Sequence, residues 1–187
     1  MTSPKLLEGL SRIAGDYDAV LCDVWGVLHN GREAFVGAVE ALQQFRGKRG
    51  PVVLITNAPV PKERVTRLFP KLGVAMDCFD DVVTSGDATR NELKRLAPGP
   101  VYRIGLGEDM SVYGGIDLAF SEDPKAAKVI CCTSLREYPN GLPEPYREEL
   151  RQLAAHGLPM ICANPDVQFR QGDRLIWSAG ALAAIYE

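Results

Sequence analysis

The chain has 187 residues, 46% of them hydrophobic and 24% charged, with 21 Lys and Arg against 24 Asp and Glu for a net charge of −3. That length suits one domain or two small ones and is enough to bury a core. The basic residues are scattered, which excludes the basic stripe of a nucleic-acid-binding surface, and no apolar stretch approaches the roughly 20 residues of a membrane span.

In chain order, Met1 to Leu10 carries Lys5 and Glu8 and lacks the apolar segment of a secretory signal. Ala19-Val20-Leu21-Cys22 is a continuous apolar run ending at Asp23, the pattern of a strand buried on both faces of a parallel sheet. Glu33 to Phe45 has apolar residues at helical spacing. Pro51 to Ile55 reads as a second buried strand, ending at Thr56-Asn57. Pro61 opens a helix expected over 61–72, with Gly73 past its end. Asp81 to Thr84 is a third strand, and Asp87 is positioned to cap a helix over 88–96. This alternation predicts an α/β fold with a parallel sheet.

Ala97-Pro98-Gly99-Pro100 then breaks the chain. Val101 to Ile104 reads as a strand, 108–113 as one or two helical turns, and Leu118 to Phe120 and Lys128 to Cys132 as further strands. Residues 136–145, with three prolines and Gly141, read as a loop running into a helix over 144–155. Pro159 to Cys162 is a strand, Asn164-Pro165-Asp166 a turn, Arg174 to Trp177 a last strand, and Ala179 to Tyr186 a helix. The five cysteines form no CxxC and fall mostly in apolar runs, as expected of reduced thiols in a cytoplasmic protein.

Ligands of open α/β sheets sit beyond the carboxyl ends of the strands. Asp23 and Thr56-Asn57 occupy such ends. An Asp there can attack phosphorus and form an aspartyl-phosphate. Gly26 keeps the next turn open for backbone N–H groups to reach phosphoryl oxygens, and Thr56 offers a hydroxyl to the same oxygens. A hard cation such as Mg²⁺ would bind Asp23 and a backbone carbonyl. Asp23 as a plain turn residue, and Thr56-Asn57 as a cap before the Pro61 helix, are the competing readings of each feature taken alone.

Asp23-Val24-Trp25-Gly26-Val27-Leu28 resembles the first motif of the haloacid dehalogenase superfamily, whose phosphatases carry DxDG[TV]. Leu54-Ile55-Thr56-Asn57 is similar to the second motif as written in class IIA, the branch of p-nitrophenyl, nucleotide and sugar phosphatases. Thr84-Ser85-Gly86-Asp87-Ala88-Thr89 resembles the exit of class IIA chains from the core, Ala163-Asn164-Pro165-Asp166 their cap turn, and Ser178-Ala179-Gly180-Ala181-Leu182 their return. The resemblance implies a Rossmann-like core over 1–84, incomplete as it stands, an inserted α/β cap over 85–178, and a return helix over 179–187. It implies Asp23 as nucleophile and Mg²⁺ ligand, the Trp25 carbonyl as second metal ligand, and Thr56 on the phosphoryl group. Trp25, Gly26 and Asn57 would line the substrate pocket, joined by Asn164 and Asp166 from the cap or hinge.

Two departures qualify it. The family's acid/base Asp is Trp25 here, and an indole cannot protonate a leaving group, a contribution of about 10²–10⁴-fold. Haloacid dehalogenases themselves carry an aromatic residue there. In addition, Glu187 falls just before the place of the Lys-bearing third motif and the acidic fourth, so the 187 residues are expected to be a fragment, weak or inactive alone. The expected parent is a Mg²⁺-dependent phosphatase acting on a small phosphorylated metabolite, with no nucleic-acid or membrane partner and a homo-oligomer left open. An impaired phosphate-binding or regulatory homologue and a dehalogenase-type hydrolase are the alternatives. His29, close after the first motif, lines the pocket or is a surface or packing residue. Cys131-Cys132 is expected to be buried and inert. Gly105-Leu106-Gly107 lacks the rest of a dinucleotide fingerprint.

Overall fold

The computed structural model describes residues 6–107 and 110–187. They form two compact units, the first Met1–Thr56 with Thr66–Val83 and the second Asn57–Val65 with Thr84–Glu187. The reading of the first ten residues falls partly outside the described residues.

In the first unit, β1 (Val20–Asp23) and β2 (Val52–Thr56) pair in parallel, with Val20 opposite Val52 and Asp23 opposite Ile55. β3 (Asp81–Thr84) lies on the other side of β2. Val52 and Leu54 alternate onto one face of β2 and are buried, as are Val82 of β3 and Leu42 and Phe45 of α1 (Val36–Lys48). The opposite face departs from the sequence reading. Leu21 is 69% exposed, and Ile55 and Val83 are exposed as well. A run of apolar residues specifies a strand, but side chains alternate between faces, and β1 alternates half-buried Val20 and Cys22 with exposed Leu21 and Asp23.

The helix expected over 61–72 is two short pieces, α2 (Lys62–Thr66) and α3 (Phe69–Leu72). Pro70 has no N–H to offer the carbonyl four residues back, so it sits in the first turn of a new short helix rather than inside one continuous helix. Gly73 ends α3 at φ 81°, donating to the Phe69 and Pro70 carbonyls.

The second unit contains α4 (Ser85–Leu96), which begins three residues before its expected start. Its cap is Thr84 rather than Asp87: the Thr84 Oγ1 accepts the Asp87 N–H at 2.9 Å. A parallel sheet follows in the order β4 (Val101–Ile104), β5 (Val129–Cys132), β6 (Met160–Cys162). Side chains alternate between two cores. Val101, Val129 and Cys131 pack with Leu93, Val112 and Tyr113 on one face. Ile104, Ile130 and Cys132 pack with Leu150 and Leu153 of α5 (Arg147–Ala155), and with Ala179 and Leu182 of α6 (Ala179–Tyr186), on the other. Among the described residues the α/β architecture expected from the alternating pattern is present in both sheets.

Three further expectations need adjustment. Leu118 to Phe120 forms only a single bridge, from Phe120 to Val101. The turn expected at 108–113 is seen from Met110 onward, where Tyr113 and Gly114 donate to the Met110 carbonyl; residues 108 and 109 lie outside the described residues. A strand the sequence did not announce, β7 (Gln168–Gln171), pairs antiparallel with β8 (Arg174–Trp177) across Gly172-Asp173, with Gly172 at φ 61°. All five cysteines are free. No helix among the described residues is long and apolar enough to cross a membrane.

Candidate active site

Asp23 ends β1 and is exposed. The parallel register sets it beside Ile55, one residue before Thr56, so both candidate catalytic residues stand at the carboxyl edge of the same two strands. Thr56 is buried where Asp23 is not. One carboxylate oxygen of Asp23 accepts the Val24 N–H at 2.7 Å, which fixes the side chain over the start of the next turn.

That turn is tightly wound. The Leu28 and His29 N–H groups both donate to the Val24 carbonyl, at 2.9 and 3.2 Å. Gly26 sits at φ 81°, in the left-handed region where a side chain is strained. Its N–H donates to the His29 carbonyl at 2.8 Å, so its hydrogen bond belongs to the turn itself. The Trp25 indole lies edge to face against the His29 imidazole, with ring centroids 5.6 Å apart. It also covers Gly31, where an added Cβ would stand 2.5 Å from the indole.

His29 is a packing residue here. It is 6% exposed, touches Phe69 edge to face, and its Nδ1 accepts the Gly31 N–H at 3.1 Å. Burial lowers the imidazole pKa below its ordinary value, so the neutral ring is the form this environment favours.

The remaining candidates lie in the second unit and form one chain of hydrogen bonds. The Asn57 amide donates to an Asp166 carboxylate oxygen at 3.0 Å. The Asp166 N–H donates to the Asn164 side-chain oxygen at 3.0 Å. Asn164 is buried, and its backbone carbonyl accepts from the Cys162 thiol. The start of α6 closes on the same turn: a Cβ at Gly180 would stand 2.2 Å from the Pro165 carbonyl oxygen. Asp23, Trp25, Gly26 and Thr56 belong to the first unit, and Asn57, Asn164 and Asp166 to the second.

Sequence reasoning missed a knot at the head of α4. Asp87 accepts hydrogen bonds from the Thr84 hydroxyl at 3.0 Å and the Lys62 N–H at 3.1 Å. The Lys62 contact joins segments far apart in the chain and leaves no local signature. Cys131 and Cys132 are fully buried as expected, and burial pushes the Cys131 thiol up to about 11. Neither thiol is poised to react.

The donor chemistry around Asp23 fits a hard divalent cation in part. A carboxylate and a main-chain carbonyl are oxygen ligands of the kind Mg²⁺ takes, with waters completing its shell. Among the described residues no group of three or more His, Cys, Asp or Glu side chains forms a further cluster.

The model of the haloacid dehalogenase-like hydrolases matches residues 20–119, which include both strand-end motifs. A haloacid dehalogenase-like hydrolase from Brucella suis is similar in structure, with a TM-score of 0.89 at 42% identity, covering 97% of this chain and 69% of that one. A glycerol phosphate phosphatase from Mycobacterium tuberculosis, solved with magnesium, has a TM-score of 0.63 at 24% identity over 92% of this chain and 52% of its own. A 4-nitrophenylphosphatase from Thermotoga maritima has a TM-score of 0.67 at 20% identity over 92% of this chain and 65% of its own. Comparison with curated proteins gave no match. The family model and the Brucella structure agree, and the chain belongs to the haloacid dehalogenase-like hydrolase family.

Proposed function

We propose that the protein is a Mg²⁺-dependent phosphohydrolase of class IIA type, acting on a small phosphomonoester through Asp23. The observation that carries this reading is the pairing of an exposed carboxylate at the end of β1 with Thr56 at the end of the neighbouring strand. Asp23 attacks phosphorus, the phosphorus–oxygen bond to the leaving group breaks, and water then hydrolyses the aspartyl-phosphate. The Thr56 hydroxyl holds the phosphoryl oxygens. Asp23 and the Trp25 carbonyl would hold the cation, which when bound offsets phosphate charge. Asn57, Asn164 and Asp166 are proposed to meet the substrate. The phosphatases among the structural neighbours support the phosphomonoester class, and the magnesium complex supports the choice of ion.

The test is hydrolysis of a phosphomonoester panel, including glycerol phosphate and 4-nitrophenyl phosphate, by the intact protein with and without Mg²⁺. Metal-dependent turnover that Asp23→Asn abolishes is expected. No metal-dependent hydrolysis across the panel, or an unchanged Asp23→Asn variant, contradicts the reading.

Trp25 favours a second reading, in which the fold binds phosphate and turns it over poorly. Its indole is packed on His29 and Gly31 where phosphatases of this superfamily carry an acid/base carboxylate. Halide release from a 2-halo acid without added Mg²⁺ would point instead to dehalogenase-type chemistry.

A further inference from the structure

In the second unit the chain leaves β4 and β5 toward opposite faces of their sheet. Beyond β4 it runs to the face that buries Val112 and Tyr113. Beyond β5 it runs to the face that buries Leu135 and Tyr146. Where neighbouring parallel strands send their following loops to opposite faces, a crevice opens outside their carboxyl ends, and open α/β sheets bind ligands in such crevices. A cavity of about 220 Å³ occupies this place, lined by Arg103, Gly105, Gly107, Tyr113, Thr133 and Arg136 among others. It is smaller than the roughly 300–1,000 Å³ of drug-sized ligand pockets, which limits an occupant to a small molecule.

The lining points to an anion. The Arg103 guanidinium lies 5.0 Å from the Phe120 ring centroid and 5.6 Å from that of Tyr113. Those two rings meet edge to face at 5.4 Å. Aromatic stacking holds a guanidinium by its face and leaves the in-plane N–H donors for a planar or tetrahedral oxyanion. The Met110 sulfur, a weak acceptor, takes one donor, and among the described residues no carboxylate pairs with Arg103. Arg136, by contrast, is neutralised by two hydrogen bonds to Glu149 at 2.7 and 2.6 Å. Glu122 also borders the cavity but is exposed, where solvent screens its charge.

The rim is rigid. Gly105 has φ 151°, and a Cβ there would stand 2.2 Å from the Thr133 Oγ1. The Leu106 N–H donates to the Ser134 Oγ at 3.2 Å, tying the loop after β4 to the loop after β5. Gly105 thus has a structural use unrelated to a dinucleotide fingerprint: it lets the loop after β4 approach Thr133 after β5.

We propose that this crevice is a binding site for a small organic anion, its carboxylate or phosphate group held by the edge of the Arg103 guanidinium, with Thr133, whose hydroxyl donates to the Ile104 carbonyl at 3.5 Å, at the cavity wall. The site belongs to the second unit and does not depend on the chemistry assigned to Asp23. It is tested by titrating inorganic phosphate, and separately malonate, into the ¹⁵N-labelled intact protein while amide resonances are followed. Saturable shifts at Gly105, Leu106 and Gly107 are expected, and the probe that saturates tells phosphate from carboxylate recognition. Arg103→Gln should weaken that binding roughly ten- to a hundredfold, the worth of a charge-assisted hydrogen bond or two. Arg103→Lys keeps the charge over the rings but loses the planar fork, and should weaken binding less. Circular dichroism and melting curves establish that the variants fold, and shifts at Gly26 report the Asp23 site separately. No saturable shift at the three amides with either probe, or unchanged affinity in a folded Arg103 variant, overturns the proposal.

Discussion

His29 stands six residues after Asp23 and has the chemistry of a proton carrier, yet its surroundings make it a structural residue. Its ring is enclosed by Trp25 and Phe69, and its Nδ1 accepts the Gly31 N–H. Because burial lowers its pKa in the folded chain, the unfolded chain binds the proton first as pH falls. The stability held by neutral His29 is therefore full above the ordinary imidazole value of about 6.5 and is lost on descending through the lower folded value. Melting temperature should fall more steeply between about pH 7 and about pH 5 in the native protein than in His29→Asn; equal slopes would refute that assignment. Trp25 carries the other prediction at this scale. If the indole replaces a missing acid/base group, Trp25→Asp should raise phosphomonoester turnover by up to roughly 10²–10⁴-fold. No gain, with phosphate still bound, would favour the binding-protein reading. The sequence showed this substitution plainly. It did not show that the indole is anchored over Gly31, because that contact depends on the winding of the turn.

At the scale of elements, the legible parts were those whose signal is local. β1, β2, β4 and β5 announced themselves as short apolar runs, and α1 by its spacing. β7 did not, because Gln168-Phe169-Arg170-Gln171 is largely polar and finds its partner only through the Gly172-Asp173 turn. The start of α4 was misplaced because Thr84 and Asp87 both have capping chemistry and stand three residues apart. The geometry distinguishes them, since Thr84 accepts the Asp87 N–H while Asp87 accepts the Thr84 hydroxyl and the Lys62 N–H. Thr84→Ala should cost about 1 kcal/mol in chemical denaturation, within the range of lost N-caps. A change well below that would return the capping role to Asp87. The Asn57–Asp166 hydrogen bond spans 109 positions, and no periodicity could have paired its ends. Arg103 was hidden in the same way, as the one charged residue of an apolar strand.

For the whole molecule, the alternation of strands and helices set the α/β class, and the two strand-end motifs pointed to the family that the comparisons support. Expecting β1 to be buried on both faces did not hold, since Leu21, Ile55 and Val83 leave one face of the first sheet apolar and exposed. Hydropathy along a strand reports how apolar it is and not how many layers cover it. The chain spans 69% of the Brucella relative and 52% of the magnesium-bound phosphatase, so the activity of the whole protein is a proposal, and the proposal turns on the chemistry of Asp23. The most direct test of that chemistry is phosphate release from a phosphomonoester by the intact protein and its Asp23→Asn variant, each with Mg²⁺ and with a chelator. The account predicts release that requires Mg²⁺ and falls to background in Asp23→Asn. Release that persists in the variant, or that never depends on the metal, would contradict it.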